Sequence, residues 1–381
     1  MRFRRTDRSA ASKALAVSLA AGLALAACGA STSTPSPSPS ASPRVSARPS
    51  GSATPTPRIT LGPGATLRDL AGNRYFGTAV AVPTIVENLK YATLVGAEFS
   101  SLTPENVMKW SFVEPARGDL HWDAADTVVD FAQAHDQIVR GHALVWDKQL
   151  PAWLTPGTFD KATLTQILHD HITAEVGRYA GKVAAWDVVN EALNDNGSLR
   201  NTIWKTTLGP DYIAEAFEWA HAADPKAKLY INDYNAEGLN DKSDALYVLV
   251  KSLLDQGVPI GGVGFQTHLD ATVGGFPPAM AANLQRFTAL GLEVAITELD
   301  VRVHVPPTVD ELSRQTSYYT QAIGACLAVS GCVGVTVWEF TDRYSWVPSS
   351  FPGEGAADLY DSNMNPKPVL TAVRETLAAQ P

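Results

Sequence analysis

Cysteine is scarce in this chain, with three residues in 381, at positions 28, 326 and 332. Three cannot staple a disulfide scaffold, and none stands in the C-x-x-C or His-paired spacing of a structural zinc site, so no metal framework is expected. Basic patches are missing as well. The net charge is −9, and the arginine cluster falls at residues 2–8, which argues against a nucleic-acid surface. No strand-like run leads into a Gly-rich phosphate fingerprint, so nucleotide binding is a poor reading and no cofactor is expected. The longest apolar run, residues 14–27, is too short to cross a bilayer as a mature helix. What remains is ordinary globular composition, 45% hydrophobic and 18% charged, enough to bury a sizeable core in one large domain.

Arg2, Arg4, Arg5 and Arg8 precede that apolar run, the arrangement of a secretory signal over residues 1–27, and imply export. The run ends in Leu25-Ala26-Ala27-Cys28-Gly29, which resembles the bacterial lipobox. Lipid on Cys28 would tether the mature protein to the outer face of the membrane, its only expected membrane contact. Ordinary cleavage after Ala26, with secretion, is the alternative. Residues 28–58 are nearly all Ser, Pro, Thr and Ala and cannot offset the entropy of ordering, so they read as a linker, with residues 59–381 as the globular domain.

Within that domain, short apolar β-branched runs alternate with amphipathic stretches. Strands are predicted over residues 75–80, 98–102, 138–145, 184–189, 228–231, 262–266, 293–297 and 333–337. Helices are predicted over 123–134, 164–179, 212–222, 244–256, 278–290 and 311–329. Eight strands alternating with helices over this length point to the α/β class and a closed (β/α)8 TIM barrel. Six runs end in polar or aromatic groups: His142, Asn190-Glu191, Asn232-Asp233, Gln266-Thr267-His268, Glu298-Leu299-Asp300 and Trp338-Glu339. In a parallel barrel all strand ends open on one face, so these groups converge on one cleft.

Residues two apart on a strand share a face, so Gln266 lies with His268 and Glu298 with Asp300. The sixth and seventh strands are neighbours, which lets His268 reach Glu298. The fourth strand, carrying Asn190 and Glu191, lies across the mouth. Two glutamates on opposite walls are what glycosidic cleavage needs: one protonates the leaving oxygen and the other attacks or activates water.

At this point the segments Trp186-Asp-Val-Val-Asn-Glu-Ala192 and Ile296-Thr-Glu-Leu-Asp300 closely resemble those of glycoside hydrolase family 10, the retaining endo-β-1,4-xylanases. Glu105-Asn106-Val-Met-Lys109-Trp110, Gly141-His142-Ala-Leu-Val-Trp146, Ile231-Asn232-Asp233-Tyr234-Asn235, Gly264-Phe-Gln266-Thr-His268, Val337-Trp338, Asp342, Tyr344-Ser-Trp346 and Asn365-Pro-Lys-Pro368 follow in the family's order. The resemblance implies Glu191 as acid/base and Glu298 as nucleophile. His268, Asn190, Asp300 and Gln266 would support them, with Asn190 donating to the sugar 2-hydroxyl. Glu105, Asn106, Lys109, His142, Trp146, Asp147, Tyr234, Trp338 and Trp346 would hold a xylan or xylo-oligosaccharide chain, the tryptophans as flat apolar faces or, for Trp146 and Trp338, as core. Trp110, Trp122, Trp186 and Trp204 are assigned to packing. The family commonly has a histidine where this chain has Asp147 and a small residue where it has Glu339. It also often bonds the pair corresponding to Cys326 and Cys332, as expected in an oxidising compartment, with free buried thiols as the alternative. A monomer is expected. The rival functions are a β-1,4-glucan hydrolase and a carbohydrate-binding lipoprotein without activity.

Overall fold

Apolar runs that are buried on both faces suit a parallel sheet covered by helices, and the computed structural model, which describes residues 64–379, builds one. Its eight barrel strands are Tyr75–Val80, Ser101–Pro104, Ile138–Val145, Ala185–Asn190, Lys228–Asp233, Gly262–Phe265, Glu293–His304 and Cys332–Val337. Each pairs in parallel with the next, and the eighth returns to the first, with Phe76 opposite Val335, so the sheet closes into a (β/α)8 barrel. A helix follows each strand: Leu89–Glu98, Asp123–Ala134, Lys161–Arg178, Tyr212–Ala223, Asp241–Asp255, Met280–Thr288, Val309–Leu327 and Pro368–Ala378.

Several helix starts are written in short polar side chains. The Asp160 carboxylate accepts from the Thr163 amide at 2.8 Å, and Thr308 with Glu311 forms a reciprocal capping box, as does Asn240 with Ser243. The main departures from the predicted elements have local causes. Glu98, read as a strand start, ends the helix Leu89–Glu98 instead. Its buried carboxylate accepts from the Leu67 amide at 2.9 Å, at the start of a short helix Leu67–Leu70, and pairs with Arg374 of Pro368–Ala378, tying these two helices together under the barrel. The seventh strand runs seven residues beyond the predicted end because it gains further partners, the short strands His268–Asp270 and Glu354–Gly355.

Below the mouth the barrel is filled by large groups set against glycine. A Cβ on Gly262 would fall 2.3 Å from the Tyr230 ring and one on Gly334 2.5 Å from the Tyr75 ring, so any side chain there would collide. The Arg140 guanidinium lies 4.2 Å from the Tyr230 ring centre and pairs with buried Asp187. Asp187 also accepts from His142 Nδ1 at 3.0 Å, so the ion pair beneath the barrel mouth orients a side chain in that mouth.

Cys326 and Cys332 are disulfide-bonded, with Cα atoms 5.3 Å apart, joining the end of Val309–Leu327 to the eighth strand. Signal, Cys28 and linker lie outside the described residues. Among the described residues no helix is long and apolar enough to cross a membrane.

Candidate active site

The strand ends converge as the alternation of strand and helix requires. A cleft of about 540 Å³ opens at the C-terminal face, with Glu191 and Glu298 both in its lining. Glu298 leaves the seventh strand 5% exposed and is gripped at both oxygens. Asn232 Nδ2 donates to Oε1 at 2.7 Å, and His268 Nε2 lies 3.2 Å from Oε2. The other ring nitrogen of His268 lies 2.8 Å from Asp300 Oδ2, which also accepts from Trp346 Nε1 at 2.7 Å. Ionised carboxylates only accept, so both ring nitrogens donate and His268 is an imidazolium.

The electrostatics agree. Burial disfavours a charged His268, but Asp300 and Glu298 outweigh it and its pKa is pushed up to about 10. Burial likewise raises Glu298, yet the hydrogen bond from His268 and the nearby His142 and His268 rings hold it below the usual glutamate value. Glu298 is therefore a carboxylate at neutral pH.

Asn232 is the hub of this cluster. Its amide nitrogen also donates to Asn190 Oδ1 at 2.9 Å, and its oxygen accepts from Thr297 at 2.6 Å. Gln266 Nε2 donates to the same Asn190 oxygen at 3.1 Å. Both side-chain bonds of Asn190 among the described residues use Oδ1, so its Nδ2 is left to donate into the cleft.

Glu191 follows the fourth strand with a positive φ of 55°, and Thr267 and Glu339 follow the sixth and eighth with φ of 68° and 65°. A left-handed turn costs a non-glycine residue energy, most for a β-branched one, and such turns swing the next side chains over the mouth. The Glu191 amide donates to the Asn232 carbonyl at 2.8 Å, and Arg200 Nε donates to the Glu191 carbonyl at 3.0 Å. Lys148 Nζ donates to Glu191 Oε2 at 3.1 Å, with Arg200 Nη2 3.8 Å from the same oxygen.

One wall is made by Glu105, Asn106 and Lys109, the last with Nζ 4.7 Å from the Trp146 ring centre and 5.7 Å from that of Trp338. Burial raises the Glu105 pKa and lowers that of Lys109, each against the pull of its partners. The His142 ring meets Trp338 edge-on at 5.1 Å, and with Nδ1 bound to Asp187 its Nε2 is left for the cleft. Trp146 and Trp346 are half-buried and line the cavity, as does Trp338, which is 5% exposed. Tyr234 stands on two cations: Arg200 donates to its hydroxyl at 3.0 Å, and Lys242 Nζ lies 3.4 Å from its ring centre.

Of the catalytic, supporting and sugar-holding residues named from the sequence, all line the cavity except two, while Asn232, Asp233, Thr267 and Glu339 at the strand ends are not in its lining. Asp300 sits behind His268. Asp147 is half-buried with Oδ1 enclosed and without a hydrogen bond among the described residues, while its neighbours Lys148 and Gln149 form the wall. Glu339, which had no account in the sequence, is buried and accepts from Tyr91 Oη at 2.8 Å; burial, then the charge of Glu105, pushes its pKa well up. Sequence reading missed the bridging role of Asn232, although its place at a strand end was visible. It also missed Lys148, Gln149, Arg200 and Phe351, which only loop geometry brings in, and Arg302, which stands on the unpredicted extension of the seventh strand. Trp110, Trp186 and Trp204 are packed in the core, Trp110 stacked on Trp204 with centres 5.2 Å apart. No cluster of three or more His, Cys, Asp or Glu among the described residues is placed to hold a metal ion.

The model of glycosyl hydrolase family 10 matches residues 66–376. An endo-1,4-beta-xylanase of Agaricus bisporus is 47% identical over 310 residues, covering 81% of this chain and 92% of that protein. Endo-1,4-beta-xylanase 1 of Humicola insolens is 45% identical over 313 residues, covering 81% and 72%. Among solved structures, native xylanase 10B of Thermotoga maritima superposes with a TM-score of 0.79 at 42% identity, covering 82% of this chain and 98% of that one. Xylanase 10B of Thermotoga petrophila RKU-1, solved in complex with xylobiose, gives 0.80 at 41%, covering 82% and 97%. The chain belongs to glycosyl hydrolase family 10.

Proposed function

We propose that this protein is a retaining endo-1,4-β-xylanase in which Glu191 is the acid/base and Glu298 the nucleophile. The observation that carries the assignment is the asymmetry of the pair. Glu298 is held ionised and immobile between Asn232 and the imidazolium of His268, as a nucleophile must be. Glu191 sits in the same cleft, bonded by a side chain that is half in water.

In the first step Glu298 attacks the anomeric carbon while Glu191 passes its proton to the glycosidic oxygen, so the leaving chain departs as an alcohol. Esterified Glu298 has lost its charge, and Glu191 is now a carboxylate. In the second step Glu191 takes a proton from water, the water oxygen bonds to the anomeric carbon, and Glu298 is released. Two inversions retain configuration. Asn190 donates to the 2-hydroxyl, Glu105, Asn106 and Lys109 bond the next sugar, and Trp146, Trp338 and Trp346 pack on ring faces, with His142 and Tyr234 lining the chain's path. A cleft lined along its length fits internal cleavage of a polymer.

Product analysis on xylan with the anomers followed by NMR tests substrate, endo action and retention together. The β-anomer of xylo-oligosaccharides should appear first. Initial α-anomer, or faster attack on soluble cellulose, would sink the reading, and a Glu298→Ala variant as active as the parent would overturn the roles. The enzyme acts outside the cell in this reading, carried there by residues 1–27 and held by lipid on Cys28. Cys28→Ala should move it from the membrane fraction to the medium; unchanged partitioning would refute the anchor.

A further inference from the structure

Resting on the assignment of Glu191 as acid/base, we propose that Lys148 is a positioning residue that serves as counter-ion to Glu191 whenever that side chain is a carboxylate, and so sets the alkaline limit of activity. A retaining acid/base changes charge twice in each cycle. It is neutral when it meets substrate and anionic once the glycosyl-enzyme has formed. Whatever cation stands beside it favours one half of the cycle over the other.

Among the described residues, Lys148 is the side chain that hydrogen-bonds the Glu191 carboxylate, with Nζ 3.1 Å from Oε2. It reaches in from the loop after the third strand, its Nζ 5.2 Å from the Trp146 ring centre. Its side chain is 55% exposed while that of Glu191 is 7% exposed, so a half-exposed cation at the rim bonds a buried acid. Other charged groups face Glu191 as well, Glu298 across the same cleft among them. Arg200 Nη2 lies 3.8 Å away but also donates to the Leu193 carbonyl and the Tyr234 hydroxyl. Asp147, from the same loop as Lys148, and Asp233, at the end of the fifth strand and paired with Lys242 at 2.9 Å, oppose the charge of Glu191. Lys109 acts from the loop after the second strand, where it also faces Glu298 and Glu105. Among the described residues, Lys148 is thus the cation that bonds the Glu191 carboxylate itself while standing half in water.

The sign follows. A cation beside the carboxylate favours loss of the proton that the first step needs, so Lys148 brings the alkaline limb of kcat/KM down in pH. It correspondingly favours the anion that serves as base in the second step. Because the ammonium is half in water its effect is screened, and removing it should move the limb up by about half a pH unit.

The test compares pH profiles of kcat/KM on xylo-oligosaccharides for the parent, Lys148→Met and Lys148→Arg, at low and high salt. Lys148→Met should shift only the alkaline limb upward, leaving the acidic limb in place, and Lys148→Arg should keep the parent profile. Raising salt should move the parent's alkaline limb toward that of Lys148→Met and leave the variant's unmoved, because a half-exposed pair is screened. Superimposable limbs for parent and Lys148→Met, or a uniform loss of rate at every pH, would overturn the proposal. Glu191→Ala, assayed on aryl xylobiosides of good and poor leaving groups, judges the assignment beneath it separately: if activity falls equally on both, Glu191 is not the acid/base, whatever Lys148 does.

Discussion

His268 is clamped between two carboxylates, and the proton it holds there has a thermodynamic signature that can be measured. Its native pKa of about 10 stands against an ordinary 6.5. A raised native pKa means that the folded state binds the proton more tightly, so the stabilisation is fully present below about pH 6.5 and is lost as pH rises through about 10. The gap of about 3.5 pH units, at about 1.4 kcal/mol each, caps the contribution at about 5 kcal/mol. His268→Gln keeps a polar side chain at this place without the charge. Urea unfolding of parent and variant, followed by tryptophan fluorescence at intervals from pH 6 to pH 10, isolates the effect, because the lysines and tyrosines that also titrate there cancel in the difference. The parent's margin over the variant should shrink by several kcal/mol across that range, at up to about 1.4 kcal/mol per pH unit. A margin that stays constant with pH would refute the imidazolium and, with it, the charge that keeps Glu298 ionised.

Asn232→Ala removes a donor from a buried carboxylate, which at about 1.5–3 kcal/mol should lower kcat/KM by roughly 10- to 100-fold and move the acidic limb of the pH profile upward; a pure KM effect with an unmoved limb would contradict this. Replacing both Cys326 and Cys332 with serine opens a short loop and should cost about 2 kcal/mol, or about 3 °C in Tm by calorimetry, with kcat unchanged. Trp346→Phe keeps an aromatic face but loses the bond to Asp300, so KM for xylo-oligosaccharides should change little, whereas Trp346→Ala should raise it by about tenfold or more; equal KM for the two would remove Trp346 from the sugar path.

The eight strands were legible because burial on both faces leaves each as a continuous apolar run, and the third, Ile138–Val145, lies where its run predicts it. The candidate site was legible for a related reason: in a parallel barrel the polar residue that ends an apolar run must stand at the mouth. Loops obey no such rule. Lys148 and Gln149 could be placed only once the turn after Trp146 was known, and that turn puts Asp147 outside the wall that the sequence assigned it to. Glu98 was misread because its acid serves a helix start at Leu67 and a side chain at Arg374, both distant in sequence, which no local pattern encodes.

Asn232 shows where the two kinds of information meet. In the pairing of the fourth and fifth strands it stands opposite Asn190, and the sixth and seventh strands bring Gln266 and Glu298 to the same level through the bond from the Glu298 amide to the Gln266 carbonyl at 2.9 Å. One amide can then bridge Asn190, Glu298 and Thr297. A slip of one residue in the fifth strand would turn Asn232 out of the barrel and present Asp233, placing a second carboxylate beside Glu298. Register here is held below the mouth by Tyr230 filling the space that Gly262 leaves open. The packing of a glycine against a ring, several residues from any sugar contact, thereby decides whether Glu298 meets an amide or an acid.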